Sequence, residues 1–346
     1  MGNHLNKVYA AGPPETAAQN LTAPPLQVPS PASPAGSASP SSDTTPAKSD
    51  SDNNPGTYEE LHRKCKELFP QTFEGGKFIV SKPLTSHFQI SHTINMSMLQ
   101  PSTSGYRFGA TYIGSKQYGP QEAYPVILGD VDPSGNLNAN IIHAFTERIR
   151  SKLVTQFQDS KCSAYQLTTD YKGNDFTASV TLGNNDILNH SGVIVGQYLQ
   201  NITSRFAAGA ELVYQYGGQV PGGEFAILSA ATKITGNSWS LTANVCPSML
   251  ALHASYYHLI NEQLQIGGEL EISPANKETV ARACYQMEIP SANVNFKGSL
   301  DTNWVVEGCL EKKLLPMPFT FALSGSANFI NSQKPTYKFG VGLILG

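Results

Sequence analysis

The sequence is poor in charged residues, has only two tryptophans and five cysteines, and contains no long apolar run. Charged residues make up 14% of the chain, against roughly 25% in typical soluble domains. No run of about 18 apolar residues occurs, which excludes a transmembrane helix. The formal net charge of -3 excludes a strongly basic surface of the kind that binds nucleic acid.

The cysteines are few, odd in number and never spaced Cys-x-x-Cys. They stand at Cys65, Cys162, Cys246, Cys284 and Cys309. This pattern argues against a disulfide framework and against a structural zinc site, and it favours a reducing or mixed environment. The histidines are scattered and the glycines have no phosphate-loop context. We therefore predict no catalytic centre, no metal and no cofactor, and we expect a protein that is not an enzyme.

Residues 1–54 form a segment rich in proline, alanine and serine. Such a composition cannot bury enough apolar surface to offset its ordering entropy, so the segment is predicted to be a disordered tail. It has few basic residues and no amphipathic pattern, so we expect neither a secretory signal nor a mitochondrial presequence. The tail is either a spacer or an arm that reaches across a pore to engage partners.

Residues 55–70 carry a helical pattern. Thr57 and Glu60 have the spacing of a capping box, and Pro70 ends the helix. The apolar stripe consists of Tyr58, Leu61, Cys65, Leu68 and Phe69. A helix of roughly a dozen residues is marginal alone, so we expect it to lean on the rest of the protein, as a docking element or inside a lumen.

From Gly75 to Gly346 the apolar residues recur at every second position. The alternation is clear in residues 88–96, 106–112, 176–182, 239–245, 264–272, 294–301 and 337–345, with turn sequences between strands at 133–136, 173–175 and 236–237. Roughly 14 residues per strand and turn give about 19 strands over this region. Each strand has one apolar and one small or polar face. We therefore predict an all-β fold, a transmembrane β-barrel at residues 75–346, rather than a soluble protein with two packed cores.

The last ten residues form a strand with one apolar face. Left unpaired, this strand would present an exposed sheet edge, so we expect it to close the barrel against the first strand, near residues 75–82. About 19 tilted strands enclose a backbone diameter of roughly 38 Å, which leaves an opening of about 25 Å. Such a pore could pass an unfolded or helical polypeptide. It could equally pass metabolites.

Several stretches of the chain resemble a known family, the pore-forming subunit of the translocase of the mitochondrial outer membrane (the TOM channel). They are residues 54–70 (NPGTYEELHRKCKELFP), 125–130 (PVILGD), 176–184 (FTASVTLGN), 303–304 (NW) and 310–314 (LEKKL). The resemblance covers about residues 54–346.

The resemblance implies a 19-stranded barrel of the eukaryotic porin superfamily, with parallel first and last strands and a helix inside the lumen. It implies a channel in the mitochondrial outer membrane that translocates unfolded precursor proteins. Its expected partners are precursors with presequences, a receptor subunit, several small single-helix subunits and a second copy of the chain. The family's sorting signal, which an assembly machine could capture as an added strand, maps onto Lys338, Gly340, Leu343 and Leu345.

Acidic residues on faces predicted to point inward are the candidate functional residues. They are Glu211, Glu269, Glu271, Asp301 and Glu307. A row of acids would attract cationic presequences through a salt-sensitive field. Any water-filled barrel also carries mixed charge, which is the plainer interpretation. The alternative function is an anion or metabolite porin of the voltage-dependent anion channel type, for which a net basic lumen is expected.

Overall fold

The computed structural model describes residues 54–97, 104–119, 122–158, 161–186, 190–218, 222–274, 278–330 and 335–346. The predicted disordered tail lies outside the described residues except for Asn54. No helix within these ranges is long and apolar enough to cross a membrane.

Within the described ranges, nineteen strands form one closed sheet. They are β1 (Gly75–Pro83), β2 (Phe88–Met96), β3 (Gly105–Gly119), β4 (Glu122–Val131), β5 (Leu137–Ala144), β6 (Ile149–Gln158), β7 (Lys161–Lys172), β8 (Phe176–Asp186), β9 (Ser191–Thr203), β10 (Phe206–Tyr216), β11 (Glu224–Thr235), β12 (Trp239–Cys246), β13 (Ala251–Asn261), β14 (Leu264–Ser273), β15 (Glu278–Ile289), β16 (Val294–Asp301), β17 (Val305–Leu314), β18 (Phe319–Asn328) and β19 (Thr336–Leu345). Strands that are consecutive in sequence pair antiparallel, whereas β1 and β19 pair parallel. The predicted 19-stranded barrel is confirmed.

The barrel closes where β1 meets β19. The parallel register runs from Gly75 opposite Gly340 to Val80 opposite Leu345, which confirms the predicted closure. Gly75 has a φ of +77°, and a Cβ there would overlap the carbonyl group of Met96. Only glycine fits this position without displacing the first hairpin.

Opposite faces of the wall have opposite character. The outer face presents exposed apolar side chains, among them Val180, Leu212, Leu228, Leu300 and Phe339. The inner face carries small and polar side chains, such as the paired hydroxyls of Thr168 and Thr181. Because side chains alternate along a strand, a slip of one residue would exchange the two faces, so the apolar pattern fixes the register.

Residues 54–73, here called the lumen segment, lie against the inner face of the barrel. They contain a 3₁₀ turn at Tyr58–Glu60 and a short α-helix, α1, at Arg63–Lys66. The prediction of a helix of about a dozen residues is therefore wrong in its length. The expected capping box is also wrong, because Thr57 makes no capping hydrogen bond and the Glu60 carboxylate pairs instead with Arg63 at 3.0 Å.

The wall supplies a physical reason for the broken helix, because its side chains donate hydrogen bonds to backbone carbonyls of the lumen segment. These bonds run from Lys233 Nζ to Pro55 O (3.4 Å), from Thr242 Oγ1 to Leu61 O (3.3 Å) and from Lys297 Nζ to Glu67 O (2.6 Å). Of these carbonyls, that of Leu61 lies at the break between the 3₁₀ turn and α1, and a carbonyl satisfied by the wall needs no helical partner. Tertiary contacts thus override the local helical pattern.

Candidate functional site on the inner wall

The strand register brings polar residues together on the inner face of β12–β16. Lateral partners in a sheet point to the same side, so register alone defines rows of neighbouring side chains. One row contains Thr242, Ser255, Glu269, Arg282 and Asp301. The adjacent row contains Asn244, His253 and Glu271.

Arg282 is the centre of an ion-pair network in these rows. Its guanidinium nitrogens lie 3.6 Å from Glu269, 4.0 Å from Glu271 and 3.5 Å from Asp301. His253 Nε2 lies 2.6 Å from Glu269 Oε1 and 3.9 Å from Glu271 Oε1. Within the described part of this network carboxylates outnumber guanidinium groups, so the sector carries an excess of negative charge when His253 is neutral.

His253, Glu269 and Glu271 could also be considered as metal ligands. Their ligand atoms all lie within 4.8 Å of one another. Arg282, however, already places positive charge beside both carboxylates. The arrangement is therefore fully accounted for as an ion-pair network.

Glu269 lies beneath the lumen segment, and its side chain is only 6% exposed. On its row, Ser255 Oγ lies 2.7 Å from His62 Nδ1 in a hydrogen bond. The rings of His62 and His253 stack with centroids 4.0 Å apart. Burial, with His253 and Lys66 nearby, lowers the pKa of His62 to about 4, so this imidazole docks in its neutral form.

Glu271, two residues further along the same strand, is open to the pore, with a side chain that is 43% exposed. The remaining predicted acids are partly buried and engaged. Asp301 accepts a hydrogen bond from the backbone of Asn303 (2.7 Å), Glu307 accepts one from Thr72 Oγ1 (3.2 Å), and Glu211 accepts one from Gln197 Nε2 (2.6 Å). The five predicted acids face the lumen but differ in how far a passing molecule could reach them.

The apolar stripe predicted for residues 55–70 packs on two patches of the wall. Tyr58 and Leu61 are buried against Leu199, Ala207 and Ala231. Burial and the nearby Glu211 raise the pKa of Tyr58. Cys65 and Leu68 are buried with Cys284, and Phe69 and Tyr257 pack around that cluster.

The lumen segment is anchored at both ends. Asn54 Nδ2 donates to the carbonyl oxygens of Gly173 (2.9 Å) and Phe176 (3.1 Å) at the turn between β7 and β8. At the other end, the backbone N–H of Phe73 donates to Ser324 Oγ (2.9 Å). The docked helix is thus held in a stretch of chain that is fixed on either side.

The predicted sorting-signal residues lie on both faces of β19. Gly340 faces inward, and a Cβ there would overlap the carbonyl and ring of Phe73. Lys338 shares this face and pairs in register with Ser326. Leu343 and Leu345 alternate with Gly340 onto the outer, apolar face.

Sequence reasoning missed several residues of the inner wall. Glu311 lies on the inner face beside Ala322, in the row that continues to Gly342 and Lys77. It follows Glu307 by four positions, so the period-2 pattern alone was sufficient to find it. The contacts of His62 and Arg282 could not be predicted from the sequence, because they depend on which strands are neighbours and on where the lumen segment docks.

Comparisons with known proteins agree with this architecture. The sequence model of the family described as eukaryotic porin matches residues 54–340. The chain is 50% identical over 293 residues to a protein of Xenopus tropicalis named mitochondrial import receptor subunit TOM40 homolog, covering 85% of this chain and 84% of that protein. It is 49% identical to TOM40 homolog 2 of Drosophila melanogaster, with the same coverage, and 47% identical to the human TOM40 homolog, of which 78% is covered.

Proposed function

The chain belongs to the eukaryotic porin family and, within it, to the group of mitochondrial import receptor subunits named TOM40, and on this premise we propose that it is a protein-conducting channel of the mitochondrial outer membrane. The observation that carries the proposal is the wall itself. A single closed layer of strands separates an apolar outer face from a polar inner face, as in a barrel that spans a lipid bilayer and encloses water. The channel passes unfolded precursor proteins.

The inner wall supports passage without trapping. Its polar contacts are distributed over many strands, and most acids already have partners, so an extended chain would meet weak contacts in succession. Binding inside a channel must be favourable enough for the passing chain to enter and weak enough for it to leave. Directional movement then depends on partners on either side of the membrane.

Presequences are the part of a precursor that the acids would guide. They are cationic, and the sector around Arg282 has an excess of carboxylates. Among the described residues of this sector Glu271 is the most open acid, and it would act together with Asp301 and Glu307. The attraction is electrostatic and therefore weakens as salt rises.

The proposed assembly contains further protein partners. They are receptor subunits, small single-helix subunits and a second copy of this chain, which would contact the outer apolar face. Lys338, Gly340, Leu343 and Leu345 would serve as the sorting signal during insertion. Gly340 also has a structural role beneath Phe73, so a Gly340→Ala variant must be tested separately for insertion and for conductance.

Bilayer conductance of the refolded protein tests the function. We expect a large, cation-favouring conductance that a cationic presequence peptide blocks transiently. A peptide of the same length with every basic residue replaced by an acidic one serves as the matched control and should not block. A large anion-favouring conductance that is indifferent to both peptides would contradict the proposal and point to a metabolite porin.

A further inference from the structure

Two cysteines meet at the contact between the lumen segment and the wall. Cys65 lies on α1 and Cys284 on β15, and they belong to one buried cluster with Leu68. Cys65 is 2% exposed and Cys284 is 4% exposed. Both are free thiols. They come from regions more than two hundred residues apart in sequence, so the contact is created entirely by docking.

Gly267 on β14 makes the space in which these thiols meet. A Cβ at residue 267 would stand 2.9 Å from Cys284 Sγ, 3.2 Å from Cys65 Sγ and 2.9 Å from a methyl carbon of Leu68. The two contacts at 2.9 Å are shorter than real Cβ atoms make, and the one at 3.2 Å is tight, so any larger residue would push Cys284 Sγ and Leu68 away and crowd Cys65. The missing side chain therefore allows both sulfur atoms to occupy the same small region of the wall.

The two thiols also interact with each other. A hydrogen bond from Cys284 lowers the pKa of Cys65, against the opposing effect of burial. Cys65 Sγ in addition lies 3.4 Å from the carbonyl oxygen of Gly268. The two sulfur atoms therefore interact directly when α1 is docked.

The other three cysteines have different surroundings. Cys162 is exposed, Cys246 Sγ lies 3.3 Å from Ser248 Oγ, and Cys309 is buried on β17. The scattered spacing of the cysteines argues against a structural framework of disulfides. It leaves open a reversible bond between two of them, which is the kind found in reducing compartments.

We propose that Cys65 and Cys284 form a reversible disulfide that fixes the lumen segment to the barrel wall, with a low-molecular-weight disulfide such as oxidised glutathione as the oxidant. The inference goes beyond the proposed function and stands whether or not the pore conducts precursor proteins. Oxidation would hold α1 in its docked position, and reduction would release it.

The reaction needs a transient separation of the two thiols, because both are buried when α1 is docked. The helix has four residues and one turn of 3₁₀ helix before it, so local opening between the two anchors is the accessible route. In the open state the Cys65 thiolate attacks one sulfur of the small disulfide and expels a small thiolate, which takes up a proton. On redocking, Cys284 loses its proton and attacks Cys65 Sγ, expelling the second small thiol. The two cysteines lose two electrons and two protons in all, and the small disulfide gains them to become two thiols.

The test uses the full chain refolded in lipid vesicles and incubated with oxidised glutathione. The remaining thiols are blocked with N-ethylmaleimide in denaturant, and the protein is digested without reduction for mass spectrometry. We expect a peptide pair linked through Cys65 and Cys284 as the main oxidised product, and we expect dithiothreitol to abolish it. Proteolysis within the lumen segment should be at least about 10-fold slower in the oxidised protein than in the reduced protein, because local opening is then suppressed.

Two variants separate the proposal from general thiol oxidation. In Cys284→Ser the second step cannot occur, so Cys65 should accumulate as a mixed disulfide with glutathione. Cys162→Ser, which removes an exposed thiol, should form the Cys65–Cys284 link as the native chain does. The proposal is overturned if glutathione attaches to Cys162 while Cys65 and Cys284 are both recovered as maleimide adducts, or if Cys65 links to another cysteine. Because the linkage is mapped in the native chain, the result does not depend on how well either variant folds.

Discussion

Glu269 and Glu271 lie on the same strand and face the same lumen, yet they belong to two different regions of the wall. The covered wall, which comprises Ser255, Gly267, Glu269 and Cys284, lies beneath the lumen segment and is largely buried. The open wall is represented by Glu271, whose side chain is 43% exposed to the pore. Asp301, 15% exposed beside Arg282, and Glu307, which accepts a hydrogen bond from Thr72 of the lumen segment, are intermediate between the two regions.

The difference shows that facing the lumen is not enough to make an acid available to a passing chain. A carboxylate under the lumen segment is committed to holding structure, because its hydrogen bonds and ion pairs are already made. A carboxylate beside the segment stays partly exposed, so its negative charge can still attract a cationic chain in the pore. The covered wall should therefore govern docking of the lumen segment, and the open wall should govern peptide binding.

The largest effect should come from filling the space at Gly267. Gly267→Val would force Leu68 and Cys65 off the wall, at a cost of about 1–3 kcal/mol for overpacking. We expect the lumen segment to undock, which alkylation of Cys65 in the folded protein would report as a rise in rate of about 10- to 100-fold.

Gly268→Ala is the matched control for that variant. A Cβ at residue 268 would meet only the Arg282 carbonyl oxygen, at an ordinary 3.7 Å. Its Cys65 alkylation rate should stay near that of the native chain. Equal rates for Gly267→Val and Gly268→Ala would show that the covered wall does not hold the segment.

The second-largest effect should come from acidic pH, which should weaken the docking of the lumen segment on the covered wall. The pKa of His62 is lowered to about 4 by burial, whereas an undocked histidine has a pKa near 6.5. The undocked state therefore binds more protons between these values, and docking loses stability as the pH falls from about 6.5 to about 4. At pH 5 the open population should rise by up to about 30-fold relative to pH 7.5.

Protease susceptibility of the lumen segment, measured from pH 7.5 to pH 5, checks this expectation. His62→Gln removes the titrating group, and the ratio of the native to the variant rate cancels the pH dependence of the protease. The other groups around His62 are His253, Lys66 and Glu269, and they are present in both proteins. A ratio that stays constant with pH would contradict the assignment to His62.

Neutralising Glu271 together with the two intermediate acids, Asp301 and Glu307, should have a smaller effect, and on a different property. The combined change Glu271→Gln, Asp301→Asn and Glu307→Gln should weaken binding of a cationic presequence peptide by about 10-fold, since charge interactions that solvent reaches contribute about 0.2–1 kcal/mol each and Glu271 contributes most of the effect. The salt dependence of binding should flatten as well. Peptide titration at low and high salt measures both. If the affinity and its salt dependence stay unchanged, the proposal that these acids guide presequences is wrong.

Removing the charge of Arg282 should have the opposite effect and strengthen the binding of presequence peptide. Arg282→Gln frees the carboxylates of the network from their counter-charge. We expect presequence peptide to bind about 3-fold more tightly at low salt, and the gain to vanish at high salt. Arg107→Gln, which removes an arginine paired with Asp130 at 3.7 Å on the other side of the barrel closure, is the control. Weaker binding in Arg282→Gln would mean that the arginine itself contacts the peptide.

Much of the fold could be predicted from the sequence, because strand alternation is a local property. The apolar residues at every second position indicate each strand, and the closing partner of residues 337–346 follows from the need to cover an edge. The helix length could not be predicted, since Thr242 satisfies the carbonyl of Leu61 at the break in the helix from a strand far along the chain.

The candidate site could be predicted only in part, for the same reason. Alternation assigns Glu269 and Glu271 to the inner face equally. Their different exposure depends on where His62 and Cys65 dock, and that contact joins residues about two hundred positions apart. The contact between Cys65 and Cys284 could likewise not be predicted, because spacing along the chain carries no information about which strand a docked helix will meet.

Comparing Glu269→Gln with Glu271→Gln in presequence peptide binding tests the division of the wall most directly. The two variants remove the same charge from the same strand, two residues apart. We expect Glu271→Gln to lower peptide affinity by about 3-fold at low salt and Glu269→Gln to change it by less than about 1.5-fold, because the buried carboxylate is already committed. Equal losses in the two variants, or a larger loss in Glu269→Gln, would contradict the separation of a covered wall from an open wall.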